Sequence, residues 1–438
     1  MSAPHILIIC TAFPPANATG ARRPYMLARH LVSKGHEVTV FTSSTDGDAS
    51  WEVDLHGIRI YRFDRGGPLD VRGPIRQWLA RRSLAKHPAG PSAFVRTLSF
   101  FLLPLEFISA PLIRVRSARE LIRAPDVIIA TGPGWSTFEV GHRLAKNWGC
   151  PYLVDYRDPW VVHFPEIALR TTTWYGSGLI GSLKRAWIAR LEDRYTRLVN
   201  GATAATGPFA LNASRSLPQV PVRTIMNGTD PFHQRPPIAS GSALTLLHAG
   251  RLYHEQDWAT VMAVIDELHA AGIGPHDLGV VLLGPTTEVP GLLAEMRKCA
   301  ERTGLLRIED RVAPSEVRDR METTDLVLHL GFRGKKGIIP LKFLEALSGG
   351  RPILQFSNER AELESMIEST RTGVIVGSGS ALRQFIVDAI ALKRKGTPIP
   401  SDPDLIAIAD HGWSRSMEAW RQFILEVISK EKVPNGQD

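Results

Sequence analysis

The hydrophobic pattern of the chain alternates short, wholly apolar runs with segments of helical period. His5 to Cys10 (HILIIC) is apolar or nearly so throughout, as a strand covered on both faces of a parallel sheet must be. A helix is predicted from Pro24, with Leu27, Ala28, Leu31 and Val32 on one stripe and Gly35 closing it. Val38 to Thr42 then completes a βαβ unit. Ile58 to Phe63 alternates as an edge strand does, while Asp126 to Ala130 and Tyr152 to Asp155 return to buried-strand character around a helix ending at Asn147. A long amphipathic helix over Leu179 to Val199 leads to strands at Ala202 to Thr206 and Val222 to Asn227. Asn227-Gly228-Thr229 and the proline-rich Pro231 to Pro237 read as an interdomain linker.

A second alternating series follows. Its strands are expected at Leu244–His248, Gly279–Leu283, Leu305–Ile308, Asp325–Leu330, Ile353–Phe356 and Val374–Val376, with helical runs between them, as a doubly wound sheet requires. A last helix, Ser414 to Ile428, carries Met417, Trp420, Ile424 and Ile428 on one face and is expected to dock back across the junction. The fold class is therefore α/β, with two domains: 1–228, then 229–410, with a returning helix and tail over 411–438.

Composition agrees with that division. At 438 residues the chain exceeds one compact core, and 44% hydrophobic with 22% charged residues is ordinary for a globular protein. Cys10, Cys150 and Cys299 are scattered and lack CxxC spacing, which argues against a disulfide framework or a zinc site. Met1 leads almost directly into the first strand, leaving no room for a signal peptide, so a cytoplasmic protein is expected. The net charge of +8, concentrated before residue 200, points to nucleic acid, anionic lipid or a phosphorylated small molecule. Without zinc-finger spacing, an RNP-like motif or a lysine-rich tail, nucleic acid ranks last. Between about 66 and 123 many arginines surround Leu98 to Ile108, a run too short and too broken by Pro104 and Glu106 to span a bilayer. Either it touches an anionic surface, peripherally at the inner face of the plasma membrane, or it is a helical insertion packed on the first domain.

Candidate chemistry sits at loops that follow strands, where open α/β sheets bind ligands. After the first strand these are Gly20 and Arg22, for a phosphate or sugar. After the strand at Tyr152, Asp155, Arg157 and Asp158 either form a structural Arg–Asp bracket or hold an acceptor hydroxyl, which Asp158 would polarise. In the second domain Gly250 and Arg251 follow the first strand, and Lys342 opens a later helix; a guanidinium and an ammonium there could hold a diphosphate. That helix is peculiar. Pro340 is placed at its first position, Gly349 and Gly350 end it, and Lys335, Lys336 and Lys342 crowd its start with no carboxylate before Glu345. An anion docking on the glycine-flanked amides would explain the lysines, and a solvated Lys342–Glu345 surface pair is the plainer account.

These pieces, in this order, resemble glycosyltransferase family four, in its branch for bacterial cell-surface polysaccharides and lipid-linked glycans. The resemblance rests on Phe13-Pro14-Pro15 with Gly20, Gly35 to Val40, Pro125 to Ile129, Asp155 to Trp160, Asn227 to Asp230, Gly250-Arg251-Leu252 and Pro340 to Glu345. It implies the GT-B architecture, two Rossmann-like domains facing each other across a cleft. It also implies a retaining, metal-independent transferase with no cofactor, using a UDP- or GDP-linked sugar as co-substrate and a lipid-linked or small-molecule acceptor. On that resemblance Arg251 and Lys342 neutralise the departing diphosphate, Lys336, Gly337, Ile338 and Ile339 add contacts, and Glu345 binds the ribose. Gly20 and Gly250 join the donor site, and Arg22, Asp155, Arg157 and Asp158 the acceptor site. Two departures from the family's pattern stand out: Gly337 replaces the first glutamate of its pair, and Glu255-Gln256-Asp257 replaces a lysine after Arg251. A non-catalytic sugar-nucleotide-binding subunit and a GT-B enzyme acting on the sugar nucleotide itself are the alternatives.

Overall fold

The computed structural model describes residues 3–16, 18–44, 50–63, 118, 120–133, 135–158, 178–233, 243–287, 289–357, 359 and 361–432. The chain forms two compact units, Met1–Met226 with Ser416–Asp438, and Asn227–Arg415.

The first unit is built on strands β1 (His5–Ile9), β2 (Glu37–Ser43), β3 (Ser50–Val53), β4 (Arg59–Phe63), β5 (Val127–Thr131), β6 (Tyr152–Tyr156), β7 (Gly201–Ala204) and β8 (Val222–Thr224), ordered β3-β4-β2-β1-β5-β6-β7-β8. Only β3 is antiparallel to its neighbour among these. The central strands are apolar on both faces because helices cover both sides. Those helices are α1 (Arg22–Ser33), α2 (Ser136–Trp148), α3 (Gly178–Thr196) and α4 (Gly207–Ser216). Register places Ile6 opposite Val38 on one side and Val127 on the other. The strand expected at the edge, Ile58 to Phe63, lies one place in. The four exposed residues of β3 form the edge, and Arg62 of β4 is buried because Glu52 of β3 and the Pro14 carbonyl accept from it.

The second unit holds β9 (Leu244–Ala249), β10 (Leu278–Leu283), β11 (Leu306–Glu309), β12 (Leu326–Leu330), β13 (Ile353–Phe356) and β14 (Gly373–Val376), ordered β11-β10-β9-β12-β13-β14 and wholly parallel. This is the doubly wound order of a Rossmann sheet, with its reversal between β9 and β12. Helices α5 (Trp258–Ala270), α6 (Leu292–Thr303), α7 (Pro314–Thr323), α8 (Leu341–Ser348), α9 (Glu362–Thr370), α10 (Gly379–Arg394) and α11 (Leu405–Asp410) complete it. The Asn227-Gly228-Thr229 stretch is tied down rather than free: Thr229 pairs with Gly412 in a parallel bridge, and a Cβ on Gly228 would lie 2.3 Å from the Trp413 amide nitrogen.

The last helix, α12 (Trp413–Lys432), begins in the second unit and continues in the first. There Trp420, Phe423 and Ile424 are buried, and a Cβ on Gly201 would meet the Phe423 ring at 2.7 Å. The arginine-rich region around Leu98–Ile108 lies outside the described residues. Among the described residues, no helix is long and apolar enough to cross a membrane.

Candidate active site

In the first unit the carboxyl ends of β1, β5 and β6 converge on Asp155. Its carboxylate accepts from Arg23 Nε at 3.0 Å and Nη2 at 2.8 Å, from the Thr131 hydroxyl at 2.8 Å and from the Thr203 hydroxyl at 2.8 Å. Asp155 is 0% and Arg23 1% exposed, and the Trp420 ring covers the guanidinium at 4.6 Å. Every lone-pair direction of that carboxylate is engaged, so Asp155 has nothing left for an acceptor. The expectation that it binds the acceptor is corrected: it is a buried structural anchor, and its partner is Arg23 instead of Arg157.

Arg157 and Asp158 remain at the sheet edge. Arg157 Nη2 lies 3.2 Å from Asp158 Oδ2, and the Asp158 side chain is 54% exposed. The Arg157 guanidinium lies so close over Gly20 that a Cβ there would meet Nη1 at 1.9 Å. Gly20, within the 3₁₀ turn Thr19–Ala21, leaves room for that guanidinium, which a larger side chain would push aside, and it shares one place with Arg157 and Asp158. Arg22 opens α1 beside them, half-buried. Pro159 and Trp160 lie outside the described residues.

In the second unit, Gly250 turns the chain after β9 with a φ of +103°, which glycine adopts freely, and its amide donates to the Leu283 carbonyl at 3.0 Å. Arg251 follows, its guanidinium 5.5 Å from the Tyr253 ring centroid. The run Glu255-Gln256-Asp257 welds this loop to the one after β12. The Glu255 carbonyl accepts from the Arg333 amide at 3.1 Å, and Gln256 Nε2 donates to the Leu330 carbonyl at 3.3 Å. Asp257 caps α5 through Thr260 and pairs with Arg333. A cavity of ≈ 220 Å³ opens beside them, lined by Asp257, Arg333, Ser357, Glu359 and Ser378.

The loop before α8 differs from its expected form. Pro340, with ψ 143°, is the extended residue preceding the helix, which starts at Leu341. Glu359 accepts from the Gly334 amide at 3.0 Å, and Glu362 from the Gly337 amide at 3.1 Å. Two amides of the loop expected to bind an anion are therefore held by the chain's own carboxylates. Lys335 is half-buried and Lys336 exposed, while Ile338 and Ile339 are half-buried at the helix entrance. Lys342 Nζ lies 2.9 Å from Glu345 Oε2, as two residues three apart on one helical face allow. Glu345 also lines a second ≈ 220 Å³ cavity with Asp230, His233, Arg318 and Ser348.

A buried polar chain beneath α8 escaped the sequence reading. Gln355 Nε2 donates to Glu364 Oε1 at 2.8 Å, which turns Gln355 Oε1 toward His329 Nδ1 at 2.9 Å. Since Oε1 can only accept, Nδ1 carries the proton. Burial pushes the His329 pKa down to about 3, so the ring is neutral, and it packs 5.1 Å from the Phe343 ring of α8. A histidine and a glutamine in the same place on adjacent predicted strands were the available signal.

Comparison with known proteins follows this geometry. Residues 19–228 match the family model described as a glycosyl transferase 4-like domain. Sucrose-phosphate synthase from Thermosynechococcus elongatus superposes with a TM-score of 0.63 at 15% identity, over 98% of this chain and 100% of that one. Anabaena HepE, in complex with UDP and glucose, gives 0.58 at 13% identity over 97% and 100%. An α,α-trehalose-phosphate synthase (UDP-forming) from Burkholderia vietnamiensis gives 0.58 at 10% identity over 98% and 100%. A comparison with curated protein sequences gave no match.

Proposed function

We propose a retaining glycosyltransferase that moves a sugar from a nucleotide-sugar donor to an acceptor hydroxyl, on the match of residues 19–228 to the glycosyl transferase 4-like model and on the GT-B fold of the chain. The observation that carries the reading is the placement of Arg251 after β9 and of Lys342 with Glu345 on α8, on the two sides of the topological switch point of the second sheet. Breaking a glycosyl phosphate bond loads negative charge onto the leaving diphosphate. A guanidinium in the turn after β9 and an ammonium in the first turn of α8 are suited to receive that charge without reorganising. Glu345 supplies a carboxylate acceptor for a ribose diol on the same face. The acceptor belongs with half-buried Arg157 and exposed Asp158 beside Gly20, and a lipid-linked or small hydroxyl compound is the class we favour. The proposed mechanism is metal-independent and draws on these residues alone.

HepE was solved with UDP and with UDP-glucose, which makes UDP-sugars the first donors to try and GDP-sugars the second. The test is incubation of the protein with each donor and a hydroxyl acceptor, following release of nucleoside diphosphate and the anomeric configuration of the product. A second reading, a subunit that binds sugar nucleotides without turnover, draws on Gly337 and on the carboxylates of Glu359 and Glu362 that hold the loop amides. Donor binding without diphosphate release, with every donor and acceptor tried, would favour it.

A further inference from the structure

Helix α3 ends at Thr196, a few residues before β7, where the Asn200 amide donates to the Tyr152 carbonyl at the start of β6, so the helix runs toward the amino edge of the first sheet and its first turns lie toward the carboxyl edge. Its 19 residues span about 28 Å, whereas the five-residue β6 spans about 17 Å. Apart from Gly181, its buried residues start at Ile188, and they include Leu191, Glu192, Tyr195 and Thr196. The first turns therefore overhang the edge that bears Gly20, Arg157 and Asp158. On that overhang Leu179 is 77% exposed, and Ile180 and Leu183 are each 53% exposed.

Three adjoining exposed aliphatics are more than the singly scattered ones an ordinary protein surface carries. Their surroundings are cationic. Lys184 and Arg185 follow directly, and the stripe of Leu179 and Leu183 continues at helical spacing into the exposed Arg190 and Arg194, with exposed Arg197 just past the helix end. The neighbouring α2 adds Lys146 and Arg143, the latter paired with Glu139 at 2.7 Å, and together with Arg194 and Arg197 these cations help burial push the His142 pKa down. The acids of the helix do little to offset them, since Glu192 is buried against the Tyr156 hydroxyl and Asp193 alone is exposed.

We propose that the start of α3 is a docking element for an anionic lipid surface, inserting Leu179, Ile180 and Leu183 while the arginines of the same stripe meet the headgroups. An apolar tip with a cationic flank is the arrangement by which helices lie in a bilayer interface. Protein grooves call instead for apolar anchors at i, i+3, i+4 and i+7, and from Leu179 those positions are Ser182, Leu183 and Ala186. The docking stands apart from the transfer chemistry and needs no bound donor. It would set the Arg157 edge against the membrane, where a lipid-anchored hydroxyl arrives.

The full chain is tested by co-sedimentation with phosphatidylcholine vesicles, with and without phosphatidylglycerol, at low and high salt. Binding is expected with phosphatidylglycerol, with release by salt as screening grows. The triple variant Leu179→Ser, Ile180→Ser, Leu183→Ser should lower partitioning on the order of 10-fold or more. Arg190→Gln with Arg194→Gln should weaken it and flatten its salt dependence. The aliphatics are exposed, so unchanged thermal melting is expected and loss of fold cannot imitate the effect. The proposal falls if the triple variant binds like the wild type or if the wild type ignores anionic vesicles. A dimer that the triple variant abolishes would instead assign the patch to a second copy of the chain.

Discussion

Arg23 and Asp155, 132 residues apart in sequence, meet in a two-pronged ion pair buried on every side. Two threonine hydroxyls complete the carboxylate's shell and a tryptophan ring covers the guanidinium. A charge so enclosed stabilises only with its partner in place. Asp155→Asn should cost about 3–5 kcal/mol by taking the carboxylate away from a buried guanidinium, and the double variant Arg23→Met, Asp155→Asn should recover part of the loss. Urea unfolding of the four proteins measures this. An Asp155→Asn protein of wild-type stability that has lost acceptor affinity would return Asp155 to the acceptor site.

Arg251 and Lys342 are assigned to charge that builds up as the donor breaks, so they should matter more in the transition state than in the bound donor. Replacing either by alanine is expected to lower kcat on the order of 10²-fold, with a smaller effect on donor affinity. The double variant should lose less than the product of the two effects, because both act on one leaving group. If kcat holds and only the donor KM rises, the pair merely holds the substrate.

The carboxylates around α8 should have opposite effects. Glu345→Ala removes the proposed ribose acceptor and should weaken donor binding by roughly 1.5–3 kcal/mol. Glu362→Gln keeps an oxygen for the Gly337 amide but removes a charge beside the anion loop, and should tighten nucleoside diphosphate binding roughly fivefold, about 1 kcal/mol. Titration calorimetry reads both. Weaker binding in Glu362→Gln would show that the carboxylate shapes the loop more than it repels the ligand.

Glu192 gives a pH dependence. Burial pushes its pKa up to about 8, against an unfolded carboxylate near the ordinary value of 4.5. As pH rises from about 4.5 to 8 the unfolded chain ionises here while the folded protein keeps its proton, so stability falls across that window. Glu192→Gln removes the penalty and can still accept from the Tyr156 hydroxyl, which now lies 3.0 Å from Oε1. The variant should be more stable than wild type at pH 8 and nearly equal to it at pH 5. Unfolding midpoints across that range check the sign.

The strands were legible in sequence because a strand buried on both faces leaves a continuous apolar run. Ile353–Phe356 was placed to the residue, and most others to within one or two. The edge at β3 was missed because its four residues are all exposed, so no periodicity marks them. Lys342 and Glu345 could be read as a pair from their spacing alone. The partners of Asp155 could not, since which of Arg22, Arg23 and Arg157 turns inward depends on how α1 rotates against the sheet. Glu359 and Glu362 reach back 25 residues to the Gly334 and Gly337 amides, a distance at which no local rule operates.

The split course of α12 bears on how the chain is made. The second unit is one uninterrupted stretch, Asn227–Arg415, and can close as soon as it has left the ribosome. The first unit is begun earlier and finished later, because Trp420, Phe423 and Ile424 belong to its interior and are synthesised after the whole of its neighbour. Until they arrive, the Arg23 guanidinium lacks its ring cover and Gly201 faces an unfilled space where the Phe423 ring will lie. Translation order is thus inverted for this molecule: the half that emerges first waits, and the last helix of the described chain is the step that completes it.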